Sequence, residues 1–249
     1  MNETIKNLLN HKSIRSWKEE AVSEDIMETL FDVANRASTS NGMQNASIIR
    51  VKDMGKREAL AQLAMQKYLS SAPEFLVFVV DNYRNTSILE EKGQEKVFSN
   101  DPDRFFQGWT DATIMAQTIA IAAESLGLGI VYFGSILNDQ EKVIEILNLP
   151  KNTFPVVGMG IGYPNQEPQL KPRMNIKDKV FVDEYQVVDS YLEELKDYDE
   201  EMQTYYDLRD ANKRVDSFTD QVNAKNSIEI AKRSEIFEII KKQGFKVSY

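Results

Sequence analysis

Cysteine is absent from this 249-residue chain and histidine occurs once, as His11. Without thiols there can be no disulfide framework, iron–sulfur cluster, zinc ribbon or thiol nucleophile. One imidazole cannot build a multi-histidine site, so no metal is expected. A basic excess is missing too. The 30 Lys and Arg against 39 Asp and Glu leave a net charge of −9, which argues against nucleic acid as a partner, since phosphate backbones need a cationic face. Residues 112–128 carry Gln117 and Glu124, and the apolar run 75–80 is far short of the ~20 residues a membrane helix needs, so no membrane association is expected. Residues 1–9 lack a basic start followed by an apolar stretch, which makes the cytoplasm the expected location. The signatures GxxxxGKS/T, HExxH and GxSxG do not occur, and a serine hydrolase would have to rely on His11 with no nucleophile elbow beside it. Gly158-Met159-Gly160-Ile161-Gly162 is followed by Tyr163-Pro164 where a helix should open, which speaks against a dinucleotide fingerprint.

What is present suits one or two globular domains, with 42% apolar residues to build a core. Periodicity predicts a short helix over 2–9. A second helix starts at an N-cap, Ser23, and carries the stripe Ile26, Leu30, Val33, Ala34 and Ala37 to its end near Ser38. Strands are predicted over 47–51, 75–81, 130–133 and 154–162, the second apolar on both faces and therefore central. Helices are predicted over 56–68 and 139–147, and a largely apolar one over 111–126 is closed by Gly127. The polar stretch 87–106 reads as a surface excursion. From 185 onward, long charged helical patterns over 191–206 and 220–243 replace the strands. Such a tail rarely folds alone, so it is expected to pack on the body or on a second subunit. The expected division is a core over 1–184 and a helical extension over 185–249.

Four clusters stand out. His11-Lys12-Ser13-Ile14-Arg15 gathers two cations, an imidazole and a hydroxyl, and extended alternation would put His11, Ser13 and Arg15 on one side, a set suited to phosphate. On composition alone the favoured reading is a solvated basic loop whose histidine tip hydrogen-bonds backbone. Lys171-Pro172-Arg173 offers two cations splayed by a proline, or else an ordinary surface salt bridge. The loop from Ser38 to Gln44 is rich in short donors and acceptors, which helix capping alone would account for. Gln44, with Gln66 and Tyr68, could instead address the edge of a heterocycle. Tyr132-Phe133-Gly134-Ser135 ends a strand in a residue without a Cβ, either a plain junction or room for a flat ring.

Taken with Ala122-Ala123-Glu124-Ser125-Leu126-Gly127-Leu128-Gly129, these segments resemble, in order along the whole chain, the NADPH-dependent, FMN-containing nitroreductase/flavin reductase family, in its oxygen-insensitive, major nitroreductase-like branch. The resemblance implies an α+β fold with a mostly antiparallel central sheet flanked by helices, a helical C-terminal extension, and an interlocked homodimer with FMN bound tightly at the subunit interface. It implies that His11, Lys12, Ser13 and Arg15 approach the FMN phosphate and ribityl chain, assisted by Lys171 and Arg173, with Lys12 standing where Arg is commoner. Ser38, Thr39, Ser40 and Gln44 would come from the neighbouring subunit toward the isoalloxazine. Gln66 and Tyr68 would address its polar edge, Gly134 and Ser135 would lie beside it, and Tyr132 near it. Arg209 and Arg214, in a loop of the extension, would hold the 2′-phosphate of NADPH as co-substrate. The implied reaction is a ping-pong transfer of two electrons from NADPH to flat, electron-poor small molecules such as nitroaromatics, quinones or free flavin, with no catalytic side chain and the chemistry at the flavin. The alternatives are a reductase that supplies reduced FMN to a partner monooxygenase and a non-catalytic flavin-binding protein.

Overall fold

The computed structural model describes residues 1–94, 98–205 and 215–247, and the statements below concern those residues. The chain divides into two compact units, Met1–Gln166 with Ile230–Tyr249, and Glu167–Glu229. The first is built on a four-stranded sheet of β1 (Ala46–Arg50), β2 (Glu74–Asp81), β3 (Gly129–Phe133) and β4 (Thr153–Gly162). Its order is β1-β2-β4-β3 and every pairing is antiparallel. β2 is central, as its two apolar faces require: Phe75 to Val80 are all buried. The glycine-rich 158–162 run lies inside β4, so no helix opens there.

Helices α1 (Glu3–Leu9), α2 (Glu24–Ala34), α3 (Met54–Ala64), α4 (Tyr83–Glu91), α5 (Pro102–Ser125) and α6 (Gln140–Leu147) flank the sheet. Their starts are chemical. Ser23, Asp53 and Asp139 each accept a backbone N–H three residues on, satisfying a donor that has no intrahelical partner. α2 stops at Ala34, before the expected end near Ser38, because Arg36 and Ala37 bond back to the carbonyls three residues earlier and tighten the chain out of the α path. α3 ends at Met65 in the left-handed region, φ 55°, and the stretch expected to continue the helix becomes a 3-10 turn over Lys67–Leu69.

Two expectations are corrected. The stretch 87–106 is not a surface excursion throughout: α4 occupies its start, and α5 begins at Pro102 rather than at residue 111. Proline at the first turn loses no hydrogen bond and brings a preset φ, so it starts the helix that its polar neighbours disguise. Phe105, on that first turn, is 3% exposed and meets Phe154 and Phe245 edge-on at 5.6 and 4.9 Å. Nor do the two long C-terminal helices form. They are broken into α7 (Tyr191–Glu194), α8 (Lys196–Gln203), α9 (Phe218–Asn226), α10 (Ala231–Ser234) and α11 (Ile236–Lys242). Residues 230–247 belong to the first unit, where Ile239, Ile240 and Phe245 are buried and the Gln243 amide donates to the carbonyls of Pro150 and Thr153. That burial outweighs the helical propensity of the charged pattern. The boundary between the two compact units falls at 166/167, and residues 172–178 bond to the helices after them, through Tyr198 to the Pro172 carbonyl and Lys177 to Glu194.

One surface network carries a pH signature. Glu24 bridges Arg50, at 2.5 Å, and Lys52, at 2.9 Å, while Arg50 also reaches Glu74. Hydrogen bonds from Arg50 and then Lys52 hold the Glu24 carboxyl at about 2, below the ordinary 4.5. A depressed folded-state value means that its contribution is complete above pH 4.5 and is lost as pH falls toward 2. Glu24→Gln is therefore expected to flatten the stability–pH curve in that window, with its loss of stability largest and constant above pH 4.5, as urea titrations at a series of pH values would read.

Candidate functional site

The segment 11–15 lies along β3. The Ile14 N–H donates to the Ile130 carbonyl at 2.9 Å, Ser13 forms a parallel bridge to Ile130, and Trp17 bridges to Pro164. Ile14 is buried, whereas His11, Lys12, Ser13 and Arg15 are half-buried. This seating depends on Gly129. A Cβ there would stand 2.4 Å from Ile14 Cγ1 and 2.8 Å from Ile14 Cβ, so only glycine lets the basic segment lie so close. His11 Nδ1 is 2.5 Å from Glu124 Oε1, in the last turn of α5.

At its far end β3 gives way to a 3-10 run, Gly134–Asp139. Gly134 is exposed, and a Cβ placed on it would meet nothing within 4 Å. Ser135 Oγ is buried and has no hydrogen-bond partner, an orphaned group of the kind a ligand satisfies. The Tyr68 ring sits 5.3 Å from that of Phe133, the residue before Gly134, and its hydroxyl donates to Gln66 Oε1 at 2.7 Å. The Tyr132 hydroxyl donates to Gln117 Oε1 at 3.2 Å. Burial first, then the charge of Glu124, pushes its ionisation well above the usual phenol range, so it stays a donor. The structure thus aligns a cationic segment, a hydroxyl-and-amide group and an open glycine along one strand.

Ser38, Thr39, Ser40 and Gln44 form a separate group on this chain. The loop holds three left-handed residues, Asn41, Gly42 and Gln44, at φ 54°, 70° and 53°. Its described hydrogen bonds run to α4 and α5. Asp111, 1% exposed, accepts from the Ser40 N–H at 2.8 Å and the Asn45 N–H at 3.0 Å; Asn85 donates to the Met43 carbonyl, and Arg84 to that of Gln44. Gly108, one turn before Asp111, admits the loop: a Cβ there would lie 2.7 Å from the Asn45 carbonyl oxygen. Gln44 itself is exposed. Lys171 and Arg173 are exposed residues of the second unit, and Arg209 and Arg214 lie outside the described residues.

Glu124, Asp111 and Gly129 hold these segments in place, and reading for motifs passed over them. Glu124 and Gly129 lay within the segment that carries the resemblance, with no visible reason for either. An acid inside the apolar run of α5 was the available signal for Asp111. The residues fit a flat phosphorylated ring: cations alongside β3, and just beyond its end an open backbone with an unsatisfied hydroxyl.

Comparison with known proteins agrees. The model of the nitroreductase family matches residues 8–163, and that of the nitroreductase family C-terminal domain matches 171–248, so the chain belongs to the nitroreductase family. It is 38% identical to an NADPH-dependent oxidoreductase of Staphylococcus saprophyticus, covering 98% of this chain and 99% of that one. It is 37% identical, with the same coverage, to an oxygen-insensitive NADPH nitroreductase of Salmonella typhimurium. The structure of the NADPH:FMN oxidoreductase of Vibrio harveyi complexed with NAD+ superposes with a TM-score of 0.87 at 35% identity, over 98% of this chain and 99% of that one. No helix among the described residues is long and apolar enough to cross a membrane.

Proposed function

We propose that the protein is an FMN-dependent oxidoreductase that, as a cytoplasmic homodimer, carries two electrons from NADPH to flat, electron-poor small molecules such as nitroaromatics, quinones or free flavin. The observation that carries this reading is the seating of residues 11–15 alongside β3, with Gly134 and Ser135 just beyond the strand's end. Ser13 pairs with Ile130, four positions before Gly134, about 13 Å at ~3.3 Å per residue, room for a phosphate-bearing arm with a ring beyond it.

FMN, when bound here, would supply the redox chemistry, a two-electron exchange between NADPH and the acceptor. The chain's work is to hold and orient. Lys12 and Arg15 set positive charge against the phosphate, and Ser13 adds a hydroxyl donor. Gly134 lets a ring lie against backbone, and Ser135 Oγ gains the partner it lacks. Because Tyr68 occupies Gln66 Oε1, the Gln66 amide group turns its N–H donors to the ring's polar edge. Tyr132, kept protonated, closes the rim. Ser38, Thr39, Ser40 and Gln44 reach the ring from the second copy, and Lys171 and Arg173 keep the role the resemblance gives them at the phosphate. Arg209 and Arg214 hold the 2′-phosphate of NADPH, on an extension over 185–249. No side chain need act as acid or base. The homodimer is supported by apolar surface left open on one chain: Val180, Val182, Val187 and Leu192 are 61, 76, 81 and 68% exposed.

The test is an anaerobic titration of the purified protein. The blue and near-ultraviolet bands of bound flavin are expected to bleach on adding NADPH and to return on adding nitrofurazone or a quinone. Flavin that NADPH leaves oxidised would make this a binding protein and not an enzyme. A second reading, delivery of reduced FMN, is favoured by the naming of the Vibrio harveyi neighbour as an NADPH:FMN oxidoreductase. Turnover faster with free FMN than with any quinone or nitro compound would select it.

A further inference from the structure

The placement of Glu124 is unfavourable twice over. A carboxylate in the last turn of α5 faces the negative end of the helix dipole, and it stands beside a segment read above as holding an anionic phosphate. Its side chain is 15% exposed, so water does little to offset either effect. Among the described residues one contact compensates it, the 2.5 Å approach of Oε1 to Nδ1 of His11, a residue 113 positions away. An ionised carboxylate only accepts, so the hydrogen between the two atoms belongs to Nδ1.

We infer that Glu124 is the positioning residue of His11: it fixes the proton on Nδ1, locks the ring plane, and so presents Nε2 as a hydrogen-bond acceptor to a hydroxyl on the phosphate–ribityl arm of FMN. This rests on the reading that residues 11–15 hold that arm. The arrangement follows the logic by which a carboxylate sets the tautomer of a metal-bound histidine, with a flavin arm in place of the metal. It explains why an acid is kept in a cationic site, and why the loss of Glu124 would be felt at the ligand as well as at the helix end.

Because His11 is the only histidine, the imidazole can be observed without assignment. Full-length protein carrying 15N-histidine is examined by long-range proton–nitrogen correlation, as purified and after removal of flavin, and FMN affinity is measured by quenching of flavin fluorescence. In the wild type the proton is expected on Nδ1 in both states. Glu124→Leu is expected to move it to Nε2, the form free imidazoles favour, so that Nε2 no longer accepts from the ribityl hydroxyl, and to weaken FMN binding about tenfold, the upper end for one neutral hydrogen bond. Glu124→Gln, whose amide oxygen still accepts, is expected to keep the Nδ1 proton and to bind FMN within about threefold of wild type. A purely structural role would not separate the two variants in this way. Wild-type protein that binds FMN with its proton on Nε2 overturns the inference alone, as does Glu124→Leu that is folded by circular dichroism and binds FMN as tightly as wild type. Wild-type protein that binds no FMN overturns the phosphate reading, and the inference with it.

Discussion

Gly129→Ala is expected to yield protein that carries almost no flavin, measured as the ratio of flavin to protein absorbance, and to lower stability by about 1–3 kcal/mol, the range for overpacking a tight core. The reason is geometric. The added methyl would stand 2.4 Å from Ile14 Cγ1 and 3.0 Å from Pro164 Cγ, so it is hemmed in from both sides. Ile14 can retreat only by stretching the bond from its N–H to the Ile130 carbonyl, and that bond aligns Ser13 and Arg15 on β3. A shift of even an ångström there misplaces the donors that phosphate recognition needs. The glycine contributes no contact of its own to the ligand, so an effect on cofactor content larger than the effect on stability would identify it as a spacer for the site. An alanine variant with full flavin content would show that the segment does not depend on this seating.

Asp111→Ala is expected to act on the other half of the site. It strips the only described acceptor from two N–H groups, those of Ser40 and Asn45, the second on a residue that is itself 2% exposed. Leaving a buried donor unsatisfied costs about 1–3 kcal/mol, so a loss of about 2–4 kcal/mol is expected. Urea unfolding at constant m-value would measure it. The left-handed residues Asn41 and Gln44 persist only while the surroundings enforce them, so the loop should also relax. Faster hydrogen exchange at the Ser40 and Asn45 amides, confined to this loop, would report that, and FMN affinity should fall at least about tenfold. Asp111→Asn, which still offers one oxygen, should fall between wild type and alanine in each measurement.

Much of the fold was legible because it rests on local chemistry. The N-cap at Ser23, the glycine closing α5 and the two apolar faces of β2 are each written in a few adjacent residues. The start of α5 was hidden because Pro102 sits in a charged stretch, and only the burial of Phe105 against Phe154 and Phe245 shows what that stretch does. The breaks in the C-terminal helices were illegible for the same reason: they are imposed by where Ile239, Ile240 and Phe245 find apolar partners, which no helical pattern encodes. At the site, residue types were readable and partners were not. His11 announced itself as the lone imidazole, but its pairing with Glu124 spans most of the first unit. Asp111 and Gly108 have meaning only once the 38–45 loop is folded back on α5.

The claim on which the rest depends is that residues 11–15 of one copy and the 38–44 loop of another complete a single FMN site. Mixed dimers test it most directly, with Gly129→Ala in one copy and Asp111→Ala in the other, isolated through two different affinity tags. One site of such a dimer carries both defects and the other carries neither. The account predicts one FMN per mixed dimer, bleached by NADPH, although each variant alone is depleted of flavin. Mixed dimers as empty as their parents would place both segments in a site built by one chain, and would contradict it.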